Sequence, residues 1–415
     1  MIACLRSSIS DSESVRYRAA MARSLMLAAF VVSSWLPAQQ DAAATPTGFL
    51  SETVHIGTTD YPYVLYVPRN YTPEQRWPLI LFLHGAGECG NDGMLQVAVG
   101  LAPAMMKATA EWPFLVLMPQ KPDRRSAWED HDEALMAMLK KTQHDYAVDE
   151  RQQFLTGLSQ GGHGTWVLGA KHKDLWAAIA PVCGYANATE IAPALTQMPI
   201  WCFHGDADKA VPVQQSKDLT AAVQQAGGHA ELTIYAGVGH NSWEKAYGEA
   251  GLADWFLAAG AERIVRGYLA KPESLADCSI DLEDLWLVGD RADPSLGTRQ
   301  WHLERKAGRL EWRDVVIDPN TRGQGEPQKR QGSREADQLF RENLQRMLDG
   351  GTFRKRGFNP PNFGDKRHHL TLSVQLNGDG GPFRFHREWN APGFDWQGPK
   401  IGPAEAFAFC VSELR

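Results

Sequence analysis

At 415 residues the chain exceeds one ordinary domain, and 43% hydrophobic with 22% charged residues suits a globular protein with ample core material. A formal net charge of −7 lacks the basic footprint of a nucleic-acid binder, so no nucleic-acid partner is expected. The 13 histidines show no Cys/His ligand spacing, and His368 and His369 are adjacent, which on a strand sends them to opposite faces; no metal site is expected.

From Met21 a basic Met-Ala-Arg23 precedes the apolar stretch Leu25 to Leu36 and then Pro37-Ala38-Gln39. Basic start, short apolar run and small residue describe an export signal, too short for a membrane span of about 20 residues. Residues 1–38 are therefore expected to be a signal peptide with its true start at Met21, and the mature chain to carry no membrane span. Export leaves Cys89, Cys183, Cys202, Cys278 and Cys410, an odd number without framework spacing, expected as buried free thiols.

Glu52-Ile56 and Tyr63-Val67 alternate polar and apolar residues, as antiparallel edge strands do. Strands follow at Leu79-Leu83, Phe114-Met118, Gln153-Thr156, Ala177-Ala180, Ile200-Phe203 and Leu232-Tyr235, several of them continuous apolar runs that fit a parallel sheet covered on both faces. Between them lie helical stretches at Glu129-Lys141, Gly162-Lys171 and Val213-Ala226. The alternation predicts an α/β, doubly wound, mostly parallel sheet over 45–262, with the chemistry beyond the carboxyl ends of its strands. Residues 263–278 read as a linker, and 279–415 as a smaller α+β domain. In that domain hairpins are expected about Ala307-Gly308 and Asn377-Gly381, and an amphipathic helix from Ser333 to Leu348. Trp389 and Trp396 fit core positions better than a carbohydrate-stacking face.

Gly157-Leu158-Ser159-Gln160-Gly161 lies between a strand and a helix. In that setting G-x-S-x-G is a nucleophile elbow: the sharp turn lifts the serine hydroxyl above the sheet, and side chains at the flanking glycines would collide with neighbouring strands. A serine hydroxyl needs a base, and the base an orienting carboxylate, expected in the order Ser, acid, His. Asp206 and Asp208 both follow a strand end; the pattern His204-Gly205-x-x-Asp208-x-x-Val211-Pro212 favours Asp208 as the acid and leaves Asp206 a turn or supporting residue. His240, on the loop after Leu232-Tyr235, is the base in the right order. The oxyanion of an acyl-transfer intermediate needs backbone donors. The amide of Gln160 and that of Ala86, with Gly87 as the alternative, are the candidates, and His84 is expected to be a structural hydrogen-bonding residue. Glu88 and Trp243 are candidates for the substrate pocket; Trp166 and Trp128 are also expected near the site on sequence proximity, Trp166 better suited to core than to pocket.

Val67-Pro-Arg-Asn-Tyr71, His84-Gly-Ala-Gly-Glu88, Gly157-Leu-Ser-Gln-Gly-Gly-His-Gly-Thr-Trp166, Ala180-Pro-Val-Cys-Gly184 and Gly239-His-Asn-Ser-Trp243 together resemble the secreted carboxylesterase and peptidase branch of the α/β-hydrolases, related to polyhydroxybutyrate depolymerases, feruloyl esterases and prolyl oligopeptidase-like enzymes. The resemblance covers about Tyr63 to Trp255. Gln160 departs from the Met common among relatives, and Cys89 from a charged residue. It implies ester hydrolysis through an acyl-enzyme, with no cofactor and a small-molecule or polymer ester (feruloyl, acetyl or hydroxyalkanoate) as partner. A serine peptidase of prolyl oligopeptidase-like type, or a binding protein on a hydrolase scaffold, is the alternative.

Overall fold

In Trp77–Leu83 every side chain is buried, and its residues divide by parity between two apolar clusters. Leu79, Leu81 and Leu83 join Leu117, Leu155, Ile179 and Trp166, while Ile80 and Phe82 join Val116, Phe154, Trp255 and Phe256. A strand with apolar residues on both faces must sit inside a sheet covered on both sides. The computed structural model describes residues 45–108, 112–270, 277–288, 295–306, 309–317, 328–334, 345, 367–377 and 383–392. The expected signal segment lies outside these.

Eight strands form the first sheet: β1 Gly48–Ile56, β2 Thr59–Val67, β3 Trp77–Leu83, β4 Leu115–Pro119, β5 Val148–Leu158, β6 Ala178–Val182, β7 Ile200–Gly205 and β8 Ala230–Tyr235. Their order is β1-β2-β4-β3-β5-β6-β7-β8. The β1–β2 and β2–β4 pairings are antiparallel and the rest are parallel. All eight expected strands are present, in a mixed α/β sheet as expected. Helices α1 Leu101–Lys107, α2 Asp132–Asp145, α3 Gln160–Lys171, α4 Gln214–Gln225, α5 Trp243–Gly248 and α6 Leu252–Ala270 accompany them. Leu135 and Met138 of α2, Trp166 of α3 and Leu219 of α4 cover one face; Leu101 of α1 with Trp255 and Phe256 of α6 cover the other. Burying each such leucine fully contributes about 1.5–3 kcal/mol of transfer free energy.

Because β3, β5, β6, β7 and β8 are parallel, their carboxyl ends share one edge of the sheet. The loops with His84–Glu88, Ser159, Cys183, Asp208 and His240 all leave from that edge.

Helix α6 runs on to Ala270 and so crosses the expected boundary at residue 262. Asp277–Val288, expected in part as linker and loop, is β9. Its apolar residues alternate at Ile280 and Leu282 but run on unbroken from Leu285 to Val288, and this mixture of two patterns hides a strand from a period-2 reading. It pairs within a second, antiparallel six-stranded sheet of order β12-β11-β10-β9-β13-β14. The other strands are β10 Ser295–Lys306, β11 Arg309–Ile317, β12 Gln328–Arg334, β13 Arg367–Asn377 and β14 Phe383–Pro392. Both expected hairpins, β10–β11 and β13–β14, are formed. The expected helix from Ser333 begins inside β12; beyond Arg334, apart from a helical Gln345, it lies outside the described residues. Trp396 and Cys410 lie outside them too.

Candidate active site

Strand β5 ends at Leu158, and α3 begins two residues later at Gln160. Ser159 makes the turn alone, with φ 55 and ψ −113, a conformation that an L-residue adopts only when its surroundings force it. The force is visible at the glycines. A Cβ on Gly157 would stand 2.5 Å from the carbonyl oxygen of Gly161, and one on Gly161 would overlap the carbonyl of Leu83. The pair lets β3, the turn and α3 pack this closely. Ser159 N–H donates to Val182 O (3.0 Å) and His163 N–H to Ser159 O (2.9 Å), so the turn is tied to β6 and starts the helix.

The loops after β7 and β8 are clamped together before they present their side chains. Gly237 N–H donates to Asp206 Oδ1 (2.7 Å), and Ala207 N–H to Val238 O (3.0 Å). Asp206 is exposed and serves this clamp. Asp208 instead turns inward: its side chain is fully buried, and Oδ2 accepts from His240 Nδ1 at 2.7 Å. Oδ1 accepts the amides of Ala210 (2.8 Å) and Val211 (3.0 Å). Burial alone would raise the Asp208 carboxyl, but the His240 hydrogen bond and these two amides outweigh it and hold it below the ordinary carboxylate range. His240, 28% exposed, offers Nε2 to the Ser159 hydroxyl at 2.9 Å. Hydroxyl, imidazole and carboxylate thus form one hydrogen-bonded line from the solvent edge into the interior. With Nδ1–H committed to the carboxylate, Nε2 is left as the acceptor that can take a proton from Ser159.

Ala86 opens a single 3₁₀ turn, Ala86–Glu88, after β3, and Gln160 opens α3. First-turn amides have no partner within their own helix. A Cβ on Gly85 would come within 3.5 Å of Ser159 Cβ, so this loop passes directly against the turn at Ser159. His84 is fully buried; Nδ1 donates to Gly85 O (2.6 Å) and Nε2 accepts the Lys121 amide (2.9 Å). Burial pulls the His84 imidazole down to about 4, so it holds the loop as a neutral ring. Burial likewise raises the Glu88 carboxyl, one of whose oxygens is buried without a partner. The half-buried Trp243 sets its ring edge-on to His240, centroids 5.5 Å apart. Trp166 is fully buried in the core, and Trp128 is buried with Nε1 on His84 O (3.1 Å).

Two residues near the line have no role assigned from sequence. His204 Nε2 lies 3.1 Å from Asp208 Oδ2, the same oxygen that accepts from His240. Cys183, free, buried and at φ 40, sets its sulfur, an Asp208 oxygen and a His240 nitrogen within 4.8 Å of one another. That donor set suits a metal poorly: Asp208 and His240 are already hydrogen-bonded, and burial pushes the Cys183 thiol up to about 12, against the thiolate a metal requires. Cys183 stands just past the end of β6, and position at a parallel strand end is the signal that marks it.

Residues 114–250 match the dienelactone hydrolase family. The domain has the α/β-hydrolase fold. Over 172 residues the chain is 27% identical to the protein named "Probable feruloyl esterase C" from Aspergillus flavus, covering 40% of this chain and 62% of that one. It is 24% identical over 162 residues to the bifunctional acetylxylan esterase/xylanase XynS20E of Neocallimastix patriciarum, covering 36% of this chain and 22% of that one. Among solved structures, a thermostable esterase is 33% identical with TM-score 0.47, covering 50% of this chain and 62% of that one. The chain therefore spans under two thirds of the length of these relatives. Among its described residues no helix is long and apolar enough to cross a membrane.

Proposed function

We propose that this α/β-hydrolase is an exported serine carboxylesterase acting through an acyl-enzyme, with Ser159 as nucleophile, His240 as general base and acid, and Asp208 as orienting carboxylate. The observation that carries the reading is the continuous hydrogen-bonded line from Ser159 Oγ through His240 to Asp208. Ser159 attacks the ester carbonyl as its proton passes to His240 Nε2. The buried Asp208 carboxylate stabilises the imidazolium, and the amides of Ala86 and Gln160 receive the oxyanion. Collapse breaks the ester C–O bond, and the alcohol leaves with the proton from His240. Water, deprotonated by the same nitrogen, then attacks the acyl-enzyme and releases the acid and Ser159. Each proton taken is returned, so the cycle draws on no cofactor.

An aromatic ester such as a feruloyl ester is the substrate class we favour. The half-buried Trp243 places an aromatic ring beside His240, and the Aspergillus relatives carry the name "Probable feruloyl esterase C". The basic and apolar stretch before residue 39 supports export to the periplasm or beyond the cell. We assign the second sheet to a separate domain following α6.

The purified chain, assayed on short p-nitrophenyl esters, methyl ferulate and a prolyl peptide, is expected to cleave the esters, methyl ferulate included, and to lose that activity in Ser159→Ala. Cleavage of the peptide alone would assign it instead to the serine peptidases, and no turnover by folded protein to binding.

A further inference from the structure

Lys121 follows β4 and is 1% exposed, an uncommon place for a charge because desolvation costs several kcal/mol unless the ion is well partnered. Burial pulls its ammonium below the ordinary lysine value. Its Nζ donates to Asp123 O (2.8 Å), Ser126 O and Gln160 Oε1 (3.2 Å). These occupy all three donors, and none of the acceptors is a carboxylate. The charge is therefore held in contact by dipoles, while the carboxylates of Asp123, Asp130 and Glu129 favour it from beyond hydrogen-bond distance. The Gln160 side chain is gripped at its other end as well, Nε2 donating to Arg124 O at 2.9 Å.

The backbone of the same lysine reaches the other side of the site. Lys121 N–H donates to His84 Nε2, and Lys121 O accepts the Gly90 amide (2.9 Å), so it brackets the loop that carries Ala86. One residue thus holds Ala86 through its main chain and Gln160 through its side chain.

Building on the acyl-transfer reading above, we propose that Lys121 is the positioning residue of the oxyanion site: it sets the Ala86 and Gln160 amides toward one point and places a buried positive charge behind them. The ester carbonyl is neutral in the ground state and carries negative charge only in the tetrahedral intermediate. Lys121 therefore acts on kcat and leaves ground-state binding nearly alone.

The test uses the full chain and p-nitrophenyl acetate, with active sites titrated by the acyl burst, in Lys121→Met, Gln160→Ala and the double variant. Gln160→Ala removes the acceptor while leaving the buried cation in place, so the test survives if Lys121→Met does not fold. Each single change is expected to lower kcat per titrated site about tenfold, short of the on the order of 10²–10³ lost with a direct oxyanion donor, with KM nearly unchanged. The double variant is expected to resemble the worse single variant. Inhibition by phenylboronic acid, which forms a tetrahedral adduct on the serine, should weaken in step with kcat. Additive losses, a lower titre with normal kcat per site, or a change confined to KM would overturn the proposal. Absence of ester turnover in the unsubstituted protein would instead overturn the acyl-transfer reading, and this inference with it.

Discussion

The two sheets of this chain are built on opposite plans. In the first, parallel strands run through a two-sided apolar core, and their carboxyl ends are gathered at one edge. In the second, six antiparallel strands succeed one another mainly through hairpins, and an antiparallel sheet sends successive strand ends to opposite edges. Residues 81 positions apart, Ser159 and His240, meet in the first because parallel order returns each crossover to the same edge. Chemistry that needs three side chains from three loops finds them there without further construction.

The sharpest way to break that contrast is to choose between the two acids on the loop after β7. Asp208→Asn should lower kcat by on the order of 10³–10⁴, because the amide favours the wrong imidazole tautomer. Asp206→Asn should change it only a few-fold, since its contact is with the Gly237 amide. Steady-state assays on one p-nitrophenyl ester decide this; equal losses would mean that the clamp, not the carboxylate on His240, governs the site.

A second effect concerns the scaffold beneath the site. His84 is held neutral with its pKa pulled down to about 4, below the ordinary 6.5, so the unfolded chain binds this proton more readily. Its contribution is complete above pH 6.5 and is lost as pH falls toward 4, a change of about 3 kcal/mol. Denaturant unfolding at pH 7.5 and pH 5 should show a larger acid loss in the unsubstituted protein than in His84→Gln. An equal loss in both would remove His84 from the account.

The smallest effect is expected from the second sheet. Ending the chain after Ala270 should leave kcat/KM for p-nitrophenyl acetate within a few-fold, since every group in the proposed chemistry precedes that residue. A large drop would show that the second sheet completes the site, and the contrast drawn above would fail.

Much of the first sheet was legible because each strand is either a continuous apolar run or a clean alternation, and Gly-x-Ser-x-Gly admits few other structures between a strand and a helix. The order of Ser159, Asp208 and His240 could be read from chain position alone. His204 and Cys183 were not assigned because their relevance depends on which way a strand end turns, which neither period nor motif encodes. Lys121 was missed for a related reason: a lysine among Pro122, Asp123 and Arg124 reads as solvated loop, and only the fold buries it. In the second region the polar β12, Gln-Lys-Arg-Gln-Gly-Ser-Arg, carries no hydrophobic pattern, so only its pairing with β11 defines it as a strand.

Covalent capture tests the central claim most directly. The protein would be treated with a fluorophosphonate, digested, and its modified peptide identified by mass spectrometry, beside His240→Ala and a heat-unfolded sample. The account predicts one adduct, on Ser159, much slower to form in His240→Ala and lost on unfolding. No adduct on Ser159 in folded protein, or equal labelling with and without His240, would contradict it.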